Sequence, residues 1–203
     1  MSDTPNDPAT RVRALFRESA ELKQRSGEQL APDIVEAAQR IGEALLGGHK
    51  VLACGNGGSA GDAQHFVGEL VNRFEIERPP LPAIALGTNP VAMTATANDY
   101  SFEEIYAKEV QALGHAGDLL LVISTSGQSA NIIQAAGAAI ERGLRMIILT
   151  GADGGELADI ARPGQDLVVH VDSRTTARIQ EVHILILHAL CMLVDQELFG
   201  GGD

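Results

Sequence analysis

Apolar and polar positions change period near residue 48, and the change separates two kinds of element. Before it, apolar residues recur three and four apart: Val12, Leu15 and Phe16, then Ile34, Ala37, Ile41 and Leu45. This spacing marks one face of an α-helix. It predicts two helices, about 10–24 and 32–46, the second stopped by Gly47 and Gly48. After residue 48, short runs that are apolar throughout alternate with amphipathic stretches. The runs predict five strands, His49–Cys54, Ala83–Leu86, Asp118–Ile123, Arg145–Leu149 and Leu167–Val171. Helices are expected between them at about 60–74, 91–97, 102–113, 130–142 and 156–160, and a long one at about 176–198 closes the chain. Strands without polar alternation are covered on both faces. The expected fold class is therefore α/β: a single domain with a five-stranded parallel sheet flanked by helices and an N-terminal helical arm. In chain order this gives a disordered tail over 1–9, the arm over 10–48 and the sheet domain over 49–203.

In such sheets ligands bind beyond the carboxyl ends of the strands. Two turns there carry chemistry. The first is Asn56-Gly57-Gly58-Ser59, after the first strand. The second is Ser124-Thr125-Ser126-Gly127-Gln128-Ser129, after the third. Ser129 suits a helix N-cap, and the first-turn N–H groups of the helix behind it lack internal partners. Hydroxyls at 124, 125, 126 and 129 together with those N–H groups and the helix dipole form an anion site. The glycines at 55, 57, 58 and 61 do not give G-x-G-x-x-G, and no G-x-x-x-x-G-K-[ST] is present. A dinucleotide or nucleoside triphosphate is disfavoured, which leaves a small phosphorylated ligand.

Acid/base and ligating groups fall in two further places. His65 and Glu69, four apart, share a helix face just beyond the first turn. Near the C-terminus Gln180, Glu181, His183 and His188 interrupt an otherwise apolar helix, where polar groups must be bonded, ligated or exposed. Gln180 and His188 lie about 12 Å apart along an ideal helix, whereas Gln180 and His183, at i and i+3, are neighbours. Spacing alone therefore leaves His183 and His188 both open.

Composition narrows the partners. A formal net charge of −12 argues against a broad nucleic-acid surface, and 3% aromatic residues without Trp argue against base stacking. An anionic ligand held by N–H groups remains compatible with an acidic chain. Cys54 and Cys191 form no CxxC pair and read as buried, reduced thiols. The first ten residues have no basic or apolar run of the signal-peptide type. The most apolar segment, Val182–Val194, is too short to cross a bilayer. A cytoplasmic location with no membrane partner is expected.

The segments CGNGGSAGDAQHFVGELVNRF, ANDY, ISTSGQSANI, LTGADGGELA and ARIQEVHILILH run in order over nearly the whole chain. This set resembles the phosphoheptose (sedoheptulose 7-phosphate) isomerases of the SIS, or sugar isomerase, domain family. The resemblance implies conversion of sedoheptulose 7-phosphate to D-glycero-D-manno-heptose 7-phosphate through an enediol, one zinc per subunit and a homotetramer. Matched residue by residue, Asn56, Gly57, Gly58 and Ser59 fall on the first substrate turn, Asn98 and Asp99 on a sugar-contacting pair, and Ser124, Thr125, Ser126 and Ser129 on the phosphate loop. His65, Glu69, Gln180 and His188 match zinc ligands. Gln180 and Glu69 also match substrate contacts, and Glu69 and His188 match the acid/base pair. The chain also resembles DiaA-like SIS proteins in NRFEIERPPLPAIAL, EIYAKEVQALGHAGD and QELF. Those proteins are non-catalytic partners of the replication initiator DnaA and lack the full His/Glu and Gln/His set.

Overall fold

The computed structural model describes residues 7–200; the part of the expected tail before Asp7 lies outside them. The arm is one helix, α1 (Pro8–Leu46), not two. Asp7 caps it, its carboxylate accepting from the Thr10 N–H at 3.0 Å. Pro32 removes one helix donor, yet Pro32 and Glu28, whose carbonyl loses its partner, both face solvent. The inward stripe Leu22, Ser26, Leu30, Ile34, Ala37, Ile41, Ala44 runs across the proline without a break in spacing. Continuous packing on the C-terminal helix overrides the local breaker.

The remaining elements follow the expected alternation: β1 (Val51–Gly55), α2 (Gly58–Val71), β2 (Ala83–Ala85), α3 (Pro90–Asp99), a 3₁₀ turn (Phe102–Glu104), α4 (Ile105–Leu113), β3 (Leu119–Ser124), α5 (Ala130–Arg142), β4 (Arg145–Gly151), α6 (Gly155–Asp159), β5 (Leu167–Val171) and α7 (Thr176–Phe199). The sheet is parallel throughout, in the order β2-β1-β3-β4-β5. From β1 the chain passes outward to β2, then returns to β3 on the other side. The turns after β1 and β3 thus sit side by side where the winding reverses, the place where such sheets bind ligands.

Alternate residues of each strand feed two cores. Val51, Ala53, Leu119, Leu121 and Ile123 pack under α1, α2 and α7; Leu52, Cys54, Leu120 and Val122 pack under α4, α5 and α6. At 24 residues, α7 is longer than the apolar run read from the sequence, and by length and composition it would suffice to cross a membrane. Here its apolar face, from Ile179 to Val194, is part of the first core.

Candidate active site at the α2–α7 seam

A cleft of about 290 Å³ opens between the two turns, walled by Asn56, Gly57, Gly58, Ser59, Ser124, Thr125, Ser126, Ser129, Thr176 and Gln180. Gly57 has φ +57°, which a side chain would strain, and it lets the chain turn from β1 straight into α2. Gly58 lets the Gln180 side chain lie close: a Cβ there would be 2.5 Å from its amide nitrogen, and the amide would have to move. In the second turn the Gly127 N–H donates to Ser124 Oγ at 3.1 Å and the Gln128 N–H to Ser126 Oγ at 3.3 Å. These bonds shape the loop and leave the hydroxyl protons free to point at a ligand. Ser129 stands at the N-cap of α5 without capping it through its side chain. Its hydroxyl and the first-turn N–H groups remain for an anion. No Lys or Arg is among the described residues walling the cleft, so an anion there is held by N–H and O–H donors and the helix dipole.

Two residues that sequence reasoning passed over hold these turns. Asn131, almost fully buried, exchanges two amide hydrogen bonds with Asn56, at 2.8 and 2.9 Å. The Asn56 side chain is thereby committed to joining the β1 turn to α5. Tyr106 on α4 donates its hydroxyl to the Gly55 carbonyl at 2.5 Å. Burial, with Cys54 and Glu109 adding to it, pushes the phenol up to about 12, so it stays a donor. Asn131 sits inside the ISTSGQSANI segment, which offered a signal; Tyr106 lies in EIYAKEVQALGHAGD, which gave no sign of a role at the turn.

Along the seam with α7, the two helices run side by side in the same direction. Gly58 meets Gln180 at the cleft. Two turns on, His65 Nε2 lies 3.0 Å from His188 Nε2 and 3.4 Å from Glu69 Oε1. Phe74 stacks on the His188 ring, centroids 5.7 Å apart, and fixes its plane. The structure therefore gathers His65, Glu69 and His188, and seats Gln180 at the cleft wall on an unfrayed turn of α7. His183 is fully buried on the sheet side, its Nε2 3.2 Å from the Thr150 carbonyl oxygen. Of the two histidines left open by spacing, His188 is the one beside His65. Asp62, one turn before His65, has one carboxylate oxygen buried without a partner. Burial raises its pKa, and His65 partly offsets this. Asn98 and Asp99 lie exposed at the end of α3, bonded to each other at 2.8 Å and outside the cleft wall.

The donor set can be tested against zinc. Bonds of about 2.0–2.1 Å in a tetrahedron separate neighbouring donors by about 3.3 Å. The His65–His188 and His65–Glu69 separations bracket that value, and their N and O donors suit the metal. Among the described residues no three His, Cys, Asp or Glu side chains form a ready-made cage, so a closed site needs a further donor; Gln180, the fourth ligand that the resemblance implies, stands against Gly58 at the cleft, about two turns along the seam from this cluster.

The SIS domain profile matches residues 15–151, from inside α1 to the end of β4. The chain belongs to the SIS domain family. Within it the chain stands with the phosphoheptose isomerases. It is 53% identical to the phosphoheptose isomerase of Halorhodospira halophila over 96% of this chain and 98% of that one. To the phosphoheptose isomerase of Shewanella sp. strain ANA-3 it is 54% identical, over 93% and 95%. Among solved structures it matches phosphoheptose isomerase GmhA from Neisseria gonorrhoeae with TM-score 0.89, 46% identity, and coverage of 94% of this chain and 100% of that one. The phosphoheptose isomerase of Francisella tularensis gives TM-score 0.91 at 44% identity, over 94% and 99%. These relatives share the SIS sheet and its helical N-terminal arm, and they do not favour the DnaA-binding reading.

Proposed function

We propose that the chain interconverts sedoheptulose 7-phosphate and D-glycero-D-manno-heptose 7-phosphate, an aldose–ketose isomerisation, along the α2–α7 seam. The observation that carries this reading is the placement of an anion cleft and a His/Glu/His cluster on the same two helices. Gly58 and His65 are seven residues apart, about 10 Å along α2. That separation suits a phosphate at one end of an extended sugar and a carbonyl at the other.

The reaction moves a proton from C1 of the ketose to C2 and another between their oxygens, through an enediol. The hydroxyls and N–H groups of the Ser124–Ser129 turn hold the phosphate. Glu69 takes the C1 proton and returns it to C2; a positioned base of this kind contributes on the order of 10²–10⁴-fold. His188, its plane set by Phe74, carries the proton on the oxygen side. His65 faces His188 nitrogen to nitrogen, so without a metal between them only one of the two atoms bears a proton in that contact. Zinc held by His65, Glu69, His188 and Gln180 would supply Lewis-acid polarisation of the substrate oxygens. The resemblance also implies Asn98 and Asp99 as contacts of the sugar hydroxyls, and they lie outside the cleft wall of the single chain.

The enzyme acts in the cytoplasm as a homotetramer. Glu69→Gln should bind substrate with affinity close to wild type and lose at least 100-fold in kcat in a coupled assay. Near-normal turnover in that variant overturns the assignment of Glu69.

A further inference from the structure

A third rung joins α2 to α7, beyond Gly58–Gln180 and His65–His188. Arg78 lies in the connection after α2, and both it and its partner Asp195 on α7 are buried. Its Nε donates to Asp195 Oδ1 at 2.6 Å, Nη2 to the Glu69 carbonyl at 2.8 Å, and Nη1 to the Leu70 carbonyl at 2.7 Å. The last carbonyls of a helix have no partners within it. Here a guanidinium takes two of them and ties them to the helix that carries His188. A buried ion pair is weak ground for stability, because desolvation offsets most of the attraction. What this one fixes is position: the residue whose carbonyl it holds is Glu69 itself.

We infer that Arg78 and Asp195 are positioning residues for the isomerase, clamping the Glu69 turn against α7 so that its carboxylate faces His188 at a fixed distance. This rests on the reading of Glu69 and His188 as the acid/base pair. The clamp touches neither the phosphate turn nor the cleft wall. Its loss should therefore lower kcat and leave substrate binding nearly unchanged. A merely structural pair would lower thermal stability while the folded protein kept its kcat.

The test compares full-length Arg78→Lys, Asp195→Leu, Asp195→Asn and the double variant Arg78→Met/Asp195→Leu with wild type and Glu69→Gln. The double variant replaces the pair with apolar side chains of similar volume, an exchange that buried ion pairs often tolerate, and so keeps the test open should a single variant not fold. Steady-state kinetics with sedoheptulose 7-phosphate and thermal unfolding are read on each. Expected are kcat losses of tenfold or more in Arg78→Lys, Asp195→Leu and the double variant, with KM within threefold. Asp195→Asn, which keeps an oxygen for Nε, should recover most of the activity lost in Asp195→Leu. Folded clamp variants with kcat within twofold of wild type, beside an inactive Glu69→Gln, overturn the clamp alone. An active Glu69→Gln overturns the acid/base reading and the clamp with it.

Discussion

His183 shows how a single side chain ties the fold to pH. Burial pushes its imidazole down to about 4, against the hydrogen bond to Thr150 that favours the charged form. In the unfolded chain it titrates near 6.5. Above about pH 6.5 both states are neutral and the stability is intact. Between 6.5 and 4 only the unfolded chain takes up the proton, so stability falls as pH falls, by on the order of 3 kcal/mol over the window. Asp118 and Asp166 act lower down. Burial raises both carboxyls, but bonds from Lys50 and His115 to one, and from Arg162 and Met146 to the other, outweigh this and leave their pKa values lowered. Their contribution starts to fade only near and below the ordinary Asp value. Urea midpoints measured at pH 7.5 and 5 should therefore drop in wild type and drop much less in His183→Gln; equal slopes refute this role. Spacing could not separate His183 from His188; only the family resemblance pointed to His188. The two point about 140° apart on one helix, and which side meets the sheet and which meets α2 is decided by packing. Asn56 shows the same limit: its motif placed it at the turn, but only the fold reveals that Asn131 occupies its amide.

At the scale of the element, the parallel alternation was legible because buried strands read as unbroken apolar runs, and all five strands stand within two residues of expectation at either end. The arm was misread at a specific point. Gly27 and Pro32 are breakers locally, and the register of Leu30, Ile34 and Ala37 on the neighbouring helix is not a local property. Pro32 remains a local flaw in a packed helix, with its ring exposed and one carbonyl left to water. Pro costs about 3 kcal/mol against Ala inside a helix, while its rigidity in the unfolded chain returns about 0.4–1 kcal/mol. Pro32→Ala should stabilise the protein by about 2 kcal/mol and raise the thermal midpoint, with kcat unaltered because Pro32 faces solvent and takes no part in the α2–α7 seam. A lower midpoint would mean that the proline shapes α1 in a way its packing needs.

The residues that announced the first helix, Val12, Leu15 and Phe16, face solvent, and Phe16 is 75% exposed. They are not on a loose end: Arg178 donates to the Leu15 carbonyl at 2.9 Å, and Ser19 to Glu181 at 2.5 Å, so α1 presents this stripe from a fixed position on α7. A second apolar surface lies along the groove between α1 and α7, where Val35, Leu185 and Leu193 line a hollow of about 260 Å³. Phe16 and Val35 are 19 residues apart, about 28 Å along the helix, so these are separate patches. A closed dimer uses one self-complementary patch, whereas a tetramer of dihedral symmetry needs at least two. Two separate patches, one on α1 and one shared by α1 and α7, fit the proposed tetramer if each meets a different neighbour. Phe16→Glu and Leu185→Glu should then each stop assembly at the dimer, and the double variant should sediment as a monomer at micromolar concentration. The charge replaces a side chain whose burial contributes about 1.5–3 kcal/mol, and it enters each two-fold interface twice. A wild-type monomer overturns the tetramer, and single variants that remain tetrameric remove the division of labour between the two patches.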